Sequence, residues 1–361
     1  MKILIVSGSF HPINSPRSFR TTELVKELSK QGHDITLYIP QYEYDYSEFI
    51  EKYNIKIYHY ERTYEKRIYT SISIIDRIIF HIRNRFFNYP ECKILPKVKK
   101  AIKKESDYDL LISIAVPHAI HWAIGYLYKK GHKIAKKWIA DCGDPFMLTD
   151  SGKYRPPFYF KWGEKNWCRL CDYISVPTET SYKGYYPEFQ NKIKVIPQAF
   201  NFDEVKLNEY IQNKVLTFAY SGVFIPGKRD PRPILDFLEQ SNVDFKFIIY
   251  TKQHNMLQEH KERLDDKIEI REYIPRLNLL KELSTMDFLL NIENGTNVQT
   301  PSKLIDYALT KRPILSIDCN NIDTHKFYQF LNGDYSKQYI VNDLDKYNIK
   351  NVVKQFLNLA K

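Results

Sequence analysis

Short, nearly continuous apolar runs alternate with amphipathic stretches along the whole chain. The runs at residues 2–7, 33–39, 109–115, 137–141, 174–179 and 194–201 have strand length and are bounded by Gly, Pro or Asp, so they read as buried strands. A helical pattern starts at about Ser18, with Leu24, Val25 and Leu28 on one face, and stops at Gly32. Further helical patterns cover 71–87 and 119–130. The second half repeats the scheme, with strands expected at 216–222, 245–250, 267–272, 287–292 and 311–317. A helix begins at Thr300, and a last one lies within 343–361 with Val352, Val353, Phe356 and Leu357 on one face. Apolar strands alternating with helices predict parallel sheets built from right-handed βαβ units. At 361 residues the chain has room for two such domains. The polar stretch Asn208–Lys214 reads as the linker, giving domains at 1–207 and 215–342 and a terminal segment at 343–361.

The stretch Thr300-Pro301-Ser302-Lys303-Leu304-Ile305-Asp306 carries the clearest chemistry. Thr300 suits the N-cap and Pro301 the first helical position. Ser302 and Lys303 then add a hydroxyl and a cation beside free backbone N–H groups and the positive end of the helix dipole, which together make an anion site. Asp306 lies one turn on, where a carboxylate can accept hydroxyl hydrogen bonds from a ribose. The competing reading is an ordinary capped helix with Leu304, Ile305 and Ala308 in the core. The preceding loop offers Asn297, and the loop after the strand ending at Gly222 contains Gly227, Lys228, Arg229 and Arg232. A glycine turn followed by cations at a strand end suits a diphosphate.

Composition is that of a globular protein, 43% hydrophobic and 27% charged. No run has the length of a transmembrane helix, and the opening apolar stretch is too short for a signal peptide, so a cytosolic protein with free thiols is expected. Cys168 and Cys171 form a lone pair with no second pair to complete a zinc site. The net charge of +11 is uneven. Residues 1–205 hold 32 Lys and Arg against 23 Asp and Glu, so an anionic partner belongs to that half. The span 77–104 has nine basic residues and one acidic one, interleaved with Phe80, Phe86, Phe87 and Tyr89. It suits a helix lying on an anionic membrane, on the inner face of the plasma membrane, or an amphipathic helix packed on the domain. No nucleic-acid motif accompanies the charge.

Several of these segments resemble GT-B glycosyltransferases of the GT4 type. The carboxyl-side motif is Pro301-Ser302-Lys303-Leu304-Ile305-Asp306-Tyr307, followed by Lys311-Arg312-Pro313-Ile314. The amino-terminal strand, Gly8 loop and Gly32-His33-Asp34-Ile35-Thr36 are similar to the family's opening. Val116-Pro117-His118 and Trp138-Ile139-Ala140-Asp141 through Asp144-Pro145 are similar to its next two strand ends. The resemblance implies two Rossmann-like domains with parallel sheets facing across a cleft and a last helix crossing back to the first. It implies a retaining, metal-independent transferase using a UDP- or GDP-sugar, with no other cofactor, acting on a saccharide or lipid-linked acceptor in cell-surface polysaccharide synthesis.

Under that resemblance His118 is the cleft histidine that hydrogen-bonds the donor sugar, and a plain capping histidine is its alternative. Lys228 and Arg229 neutralise the leaving diphosphate. Gly8, Gly222, Asn297, Thr300, Ser302, Lys303 and Asp306 contact the donor, while Arg17, Asp141 and Asp144 line the acceptor side. Two departures stand out. Val298 occupies the place of the family's first glutamate, and Gln198 replaces the usual asparagine. An inactive nucleotide-sugar-binding protein and a GT-B nucleotide-sugar epimerase are the alternative functions.

Overall fold

The strands form where β-branched and aromatic residues crowd between breakers, and every paired strand described is parallel to its neighbour. The computed structural model describes residues 1–62, 74–88, 90–148, 156–293 and 302–361. They divide into two compact units, Met1–Phe200 with Tyr347–Lys361, and Asn201–Lys346.

The first unit runs β1 (Lys2–Ser7), α1 (Pro16–Lys30), β2 (Asp34–Pro40), α2 (Ser47–Tyr53), β3 (Lys56–Tyr60), α3 (Ile74–Phe87) and α4 (Ile94–Ile102). It continues with β4 (Tyr108–Ala115), α5 (Ala119–Lys129), β5 (Ala135–Cys142), α6 (Phe160–Leu170), β6 (Tyr173–Val176) and β7 (Ile193–Val195). Its sheet order is β3-β2-β1-β4-β5-β6-β7. The second unit runs β8 (Leu216–Ser221), α7 (Arg232–Glu239), β9 (Phe245–Tyr250), α8 (Gln258–Leu264), β10 (Ile268–Arg271), α9 (Arg276–Leu283), β11 (Phe288–Ile292), α10 (Ser302–Leu309), β12 (Ile314–Ile317) and α11 (Thr324–Leu331). Its sheet order is β10-β9-β8-β11-β12. The last helix, α12 (Ile349–Ala360), belongs to the first unit.

Each sheet is covered on both faces. In the first unit α1 and α12 bury Leu24, Val25, Leu28, Val352, Val353 and Phe356 with one face. Helices α4, α5 and α6 bury Val98, Ile120, Ile124 and Trp167 with the other. In the second unit α7 and α11 cover one face through Leu235, Leu238, Phe327 and Phe330. Helices α9 and α10 cover the other through Leu283, Leu304 and Tyr307.

Local chemistry explains where the elements depart from expectation. Helix α1 starts at Pro16, before Ser18, because the Ser15 hydroxyl accepts the Ser18 N–H at 3.1 Å and Pro16 sits in the first turn. After β6 the chain forms a 3-10 turn, Glu179–Gly184. Asn208–Lys214, read as a linker, is tied to the second unit. Asn208 N–H donates to Ser284 (3.0 Å), the Tyr210 hydroxyl to Asp287 (2.6 Å) and the Asn213 amide to Asp287 (3.1 Å).

A buried ion pair fixes α1 to the sheet. Arg20 donates to both Asp141 oxygens, Nη2 at 2.8 Å and Nε at 3.2 Å, with both side chains 2% exposed. The Ser175 hydroxyl adds a bond to Asp141 at 2.6 Å, and the Arg20 guanidinium lies 5.2 Å from the Phe356 ring centroid on α12. Burial alone would push the Asp141 carboxyl up, but Arg20 and Arg17 outweigh it and hold its pKa below the usual value. Asp141→Asn leaves Arg20 buried without its anion and should cost about 3–5 kcal/mol in urea unfolding. Phe356→Ala opens a cavity under α12 and should cost a similar amount, about 3–5 kcal/mol. Losses under about 1 kcal/mol for both would show that α12 and the ion pair are peripheral.

Candidate functional site

Open parallel sheets bind ligands where the strand order reverses, outside the carboxyl ends of the strands. In the second unit that point lies between β8 and β11. Strand β8 is followed by Gly222, whose φ of +153° disfavours a side chain, and a Cβ there would meet the Tyr220 hydroxyl at 3.1 Å. The chain then turns back on itself, with Ile225 and Arg229 exchanging backbone hydrogen bonds (3.1 and 2.9 Å) around Gly227 at φ +72°. This turn exposes Lys228 and leaves Arg229 half-buried. It also separates the three cations. Arg232 is held by Asp230 (Nη2–Oδ2 2.5 Å), whereas the buried Arg229 Nε has no hydrogen-bond partner among the described residues.

Helix α10 begins at Ser302 beside β11. The Lys303 ammonium is buried and also lacks a hydrogen-bond partner among the described residues. It lies 4.1 Å from the Tyr220 ring centroid and 5.6 Å from that of Tyr307. The ring faces attract a cation but do not neutralise it. Burial, and then repulsion from Arg229, bring the Lys303 pKa down to about 7. The buried Tyr307 anchors the helix to the strand end, its hydroxyl accepting the Ser221 N–H at 2.8 Å.

Asp306 is engaged within the protein: its Oδ1 accepts Arg276 Nε at 2.9 Å and Nη2 at 2.5 Å from α9. Burial raises the Asp306 pKa while Arg276 opposes the rise. Asn297, Thr300 and Pro301 lie outside the described residues, as does the Ser302 side chain.

In the first unit the order reverses between β1 and β4. Gly8 follows β1, and a Cβ there would meet Pro117 Cδ at 2.1 Å. Its bareness therefore admits the close approach of Pro117. His118 caps α5 and is buried, and its Nδ1 has no partner among the described residues. Burial lowers its pKa to about 4, against a hydrogen bond to the Asp144 backbone, so the ring is neutral at pH 7. Arg17 packs on Gly143, where a Cβ would stand 2.6 Å from its guanidinium, and reaches Asp141 at 3.4 Å. Asp141 is buried, and its carboxylate is enclosed by Arg20, Arg17 and Ser175. Asp144 is exposed at the same strand end. A separate cavity of about 360 Å³ lies at the ends of β1 to β4, between Gly8, Tyr42, Tyr60, Arg62 and Pro117.

Tyr220, Tyr307, Arg276, Tyr42 and Tyr60 were not singled out by the sequence. Only Tyr307 carried a signal, lying inside the Pro301–Tyr307 motif. Cys168 and Cys171 are buried free thiols that burial pushes up, which makes them unreactive packing.

No protein-family profile matches the chain, and no curated protein sequence does either. Solved structures do. Among them are the lipopolysaccharide outer core galactosyltransferase WaaB in its apo form (TM-score 0.61, 13% identity, 99% of each chain) and a TarM variant from S. aureus in complex with fondaparinux, α-GlcNAc-glycerol and UDP (0.57, 12%, 100% of each chain). Another is the UDP-GlcNAc 2-epimerase of Neisseria meningitidis bound to UDP-GlcNAc (0.58, 15%, 99% of each chain). At these identities the likeness is one of fold: the chain has the two-sheet α/β fold of its GT-B neighbours, glycosyltransferases prominent among them.

Proposed function

We propose that the protein is a glycosyltransferase that takes a sugar from a nucleoside-diphosphate donor, UDP or GDP, and passes it to a saccharide or lipid-linked acceptor. The observation that carries the reading is the buried Lys303 ammonium at the mouth of α10, unpaired among the described residues, beside the similarly unpaired Arg229 Nε. Two cations crowded together are costly, and a diphosphate relieves that cost. The UDP and UDP-sugar bound to two of the fold neighbours support this choice of ligand.

The chemistry follows from charge. Breaking the bond to the sugar leaves negative charge growing on the diphosphate, and stabilising it is the main catalytic task. Lys303, Arg229 and the exposed Lys228 supply three cations, with the α10 backbone N–H groups beside them, so a divalent ion is not required. His118, neutral at pH 7, is a hydrogen-bonding group for a sugar hydroxyl. Gly222 lets the β8 end approach the ligand. The 360 Å³ cavity in the first unit, with two tyrosines and Arg62, suits a saccharide acceptor. Retention of configuration and a role in cell-surface polysaccharide synthesis complete the proposal.

Lys303→Ala should weaken UDP by roughly 1.5–3 kcal/mol, about 10- to 150-fold, in isothermal titration, while leaving unfolding by urea nearly unchanged. A change of less than twofold would remove Lys303 from the site. Binding should also depend on pH. An anion favours the charged lysine, and with a free pKa of about 7 the ammonium is present below that pH and lost above it. UDP affinity should therefore fall as pH rises from 7 to 9, and Lys303→Arg should flatten the dependence. Turnover of a nucleotide sugar with acceptor should survive a chelator; transfer that stops when the chelator is added contradicts the metal-free scheme. Donor bound but never consumed would indicate the inactive binder, and an isomerised nucleotide sugar without acceptor the epimerase.

A further inference from the structure

A helix that packs on its own domain turns its apolar stripe inward. Helix α3 does not. Ile79, Ile82, Phe86 and Phe87 are 40, 49, 49 and 61% exposed, and every residue from His81 to Phe87 is exposed. A second exposed apolar element lies beside it. Phe158 and Trp162 are 68 and 63% exposed, with ring centroids 6.0 Å apart in an edge-to-face pair. The Tyr159 hydroxyl donates to the Phe86 carbonyl, which ties the two elements into one surface. Between them runs a groove of about 810 Å³, lined by Ile82, Arg85 and Phe86 on one side and Phe146, Pro157 and Phe160 on the other.

Among the described side chains the charge around this surface is mainly basic. Arg77, Arg83 and Arg85 on α3 and Lys161 beside Trp162 are all exposed. The nearby acid Glu91 is half-buried and receives the Asn88 side-chain amide at 3.2 Å. Contiguous exposed aromatics mark an interaction site, and cations rimming them fit an anionic bilayer. Tryptophan sits at the headgroup level of such interfaces.

The geometry points to a lipid-docking surface made of α3 and the segment from Pro156 to Trp162, whose groove receives a hydrocarbon chain of an anionic membrane lipid while the arginines hold its phosphate. This names the anionic partner of the basic amino-terminal half. It deepens the reading of a lipid-linked acceptor without depending on transfer.

The chain carries its own probe, because Trp162 is exposed while Trp122, Trp138 and Trp167 are buried. Vesicles of phosphatidylglycerol with brominated acyl chains should quench the tryptophan emission of the full chain in low salt. The protein should co-sediment with them, and raising the salt to 0.5 M should release at least about tenfold of it. Trp162→Phe should remove most of the quenching, leaving only the share of Trp122 behind Phe146 and Phe160, and leave co-sedimentation in place. The pair Phe86→Ser and Phe158→Ser, with unchanged UDP affinity as the check on folding, should lose both. Co-sedimentation without quenching of the unaltered chain, quenching undiminished in Trp162→Phe, or no binding to anionic vesicles in low salt would each overturn the proposal. UDP affinity is read without vesicles, so failure of this surface is distinguishable from failure of the donor site.

Discussion

A buried ammonium with no hydrogen-bond partner among the described residues is the constraint from which the candidate site follows. Lys303 rests on the Tyr220 and Tyr307 rings and feels Arg229 nearby. An amine withdrawn from water beside another cation gives up its proton more readily, hence the fall of its pKa to about 7. Tyr220 comes from β8, Arg229 from the turn after it, and Tyr307 and Lys303 from α10. The Tyr307 hydroxyl bonded to the Ser221 backbone fixes the helix against the strand end. The tension in this group is what a diphosphate would resolve.

The rest of the architecture keeps strand ends in place. In the second unit Arg276 holds Asp306, an ion pair that ties α9 to α10. In the first unit Asp141 is the hub: Arg20 and Arg17 from α1 and Ser175 from β6 converge on it, and Phe356 of α12 closes over Arg20. A buried pair of this kind contributes little net stability compared with apolar packing, but it is unforgiving when one partner is removed. Its contribution here is register, fixing α1 against the strand end that carries Gly143 and Asp144.

Much of the fold was legible because buried parallel strands are written as continuous apolar runs. β1, β4, β8, β9 and β11 lie within a residue or so of where those runs fall. What was not legible lacked that pattern. Strand β3, Lys56–Tyr60, sits at a sheet edge with a mostly exposed polar sequence. The start of α1 was misplaced although Ser15-Pro16 carries the same capping chemistry that drew notice at Thr300-Pro301. At the candidate site, Lys303 and Arg229 were singled out from local spacing. The engagement of Asp306 by Arg276 and of Asp141 by Arg20 depends on residues 30 and 121 positions away, which no local pattern encodes. The apolar face of α3 was visible as a stripe. Whether it is covered is a tertiary fact, and so is its continuation into Phe158 and Trp162.

The central claim is that this lysine is electrostatically primed for an anion. Nuclear magnetic resonance of the Lys303 side-chain ammonium, followed through a pH titration with and without UDP, tests it most directly. A free ammonium titrating near pH 7, moved upward once UDP is bound, is the expected result. A free Lys303 titrating near the ordinary lysine value of 10.5, and indifferent to UDP, would contradict it.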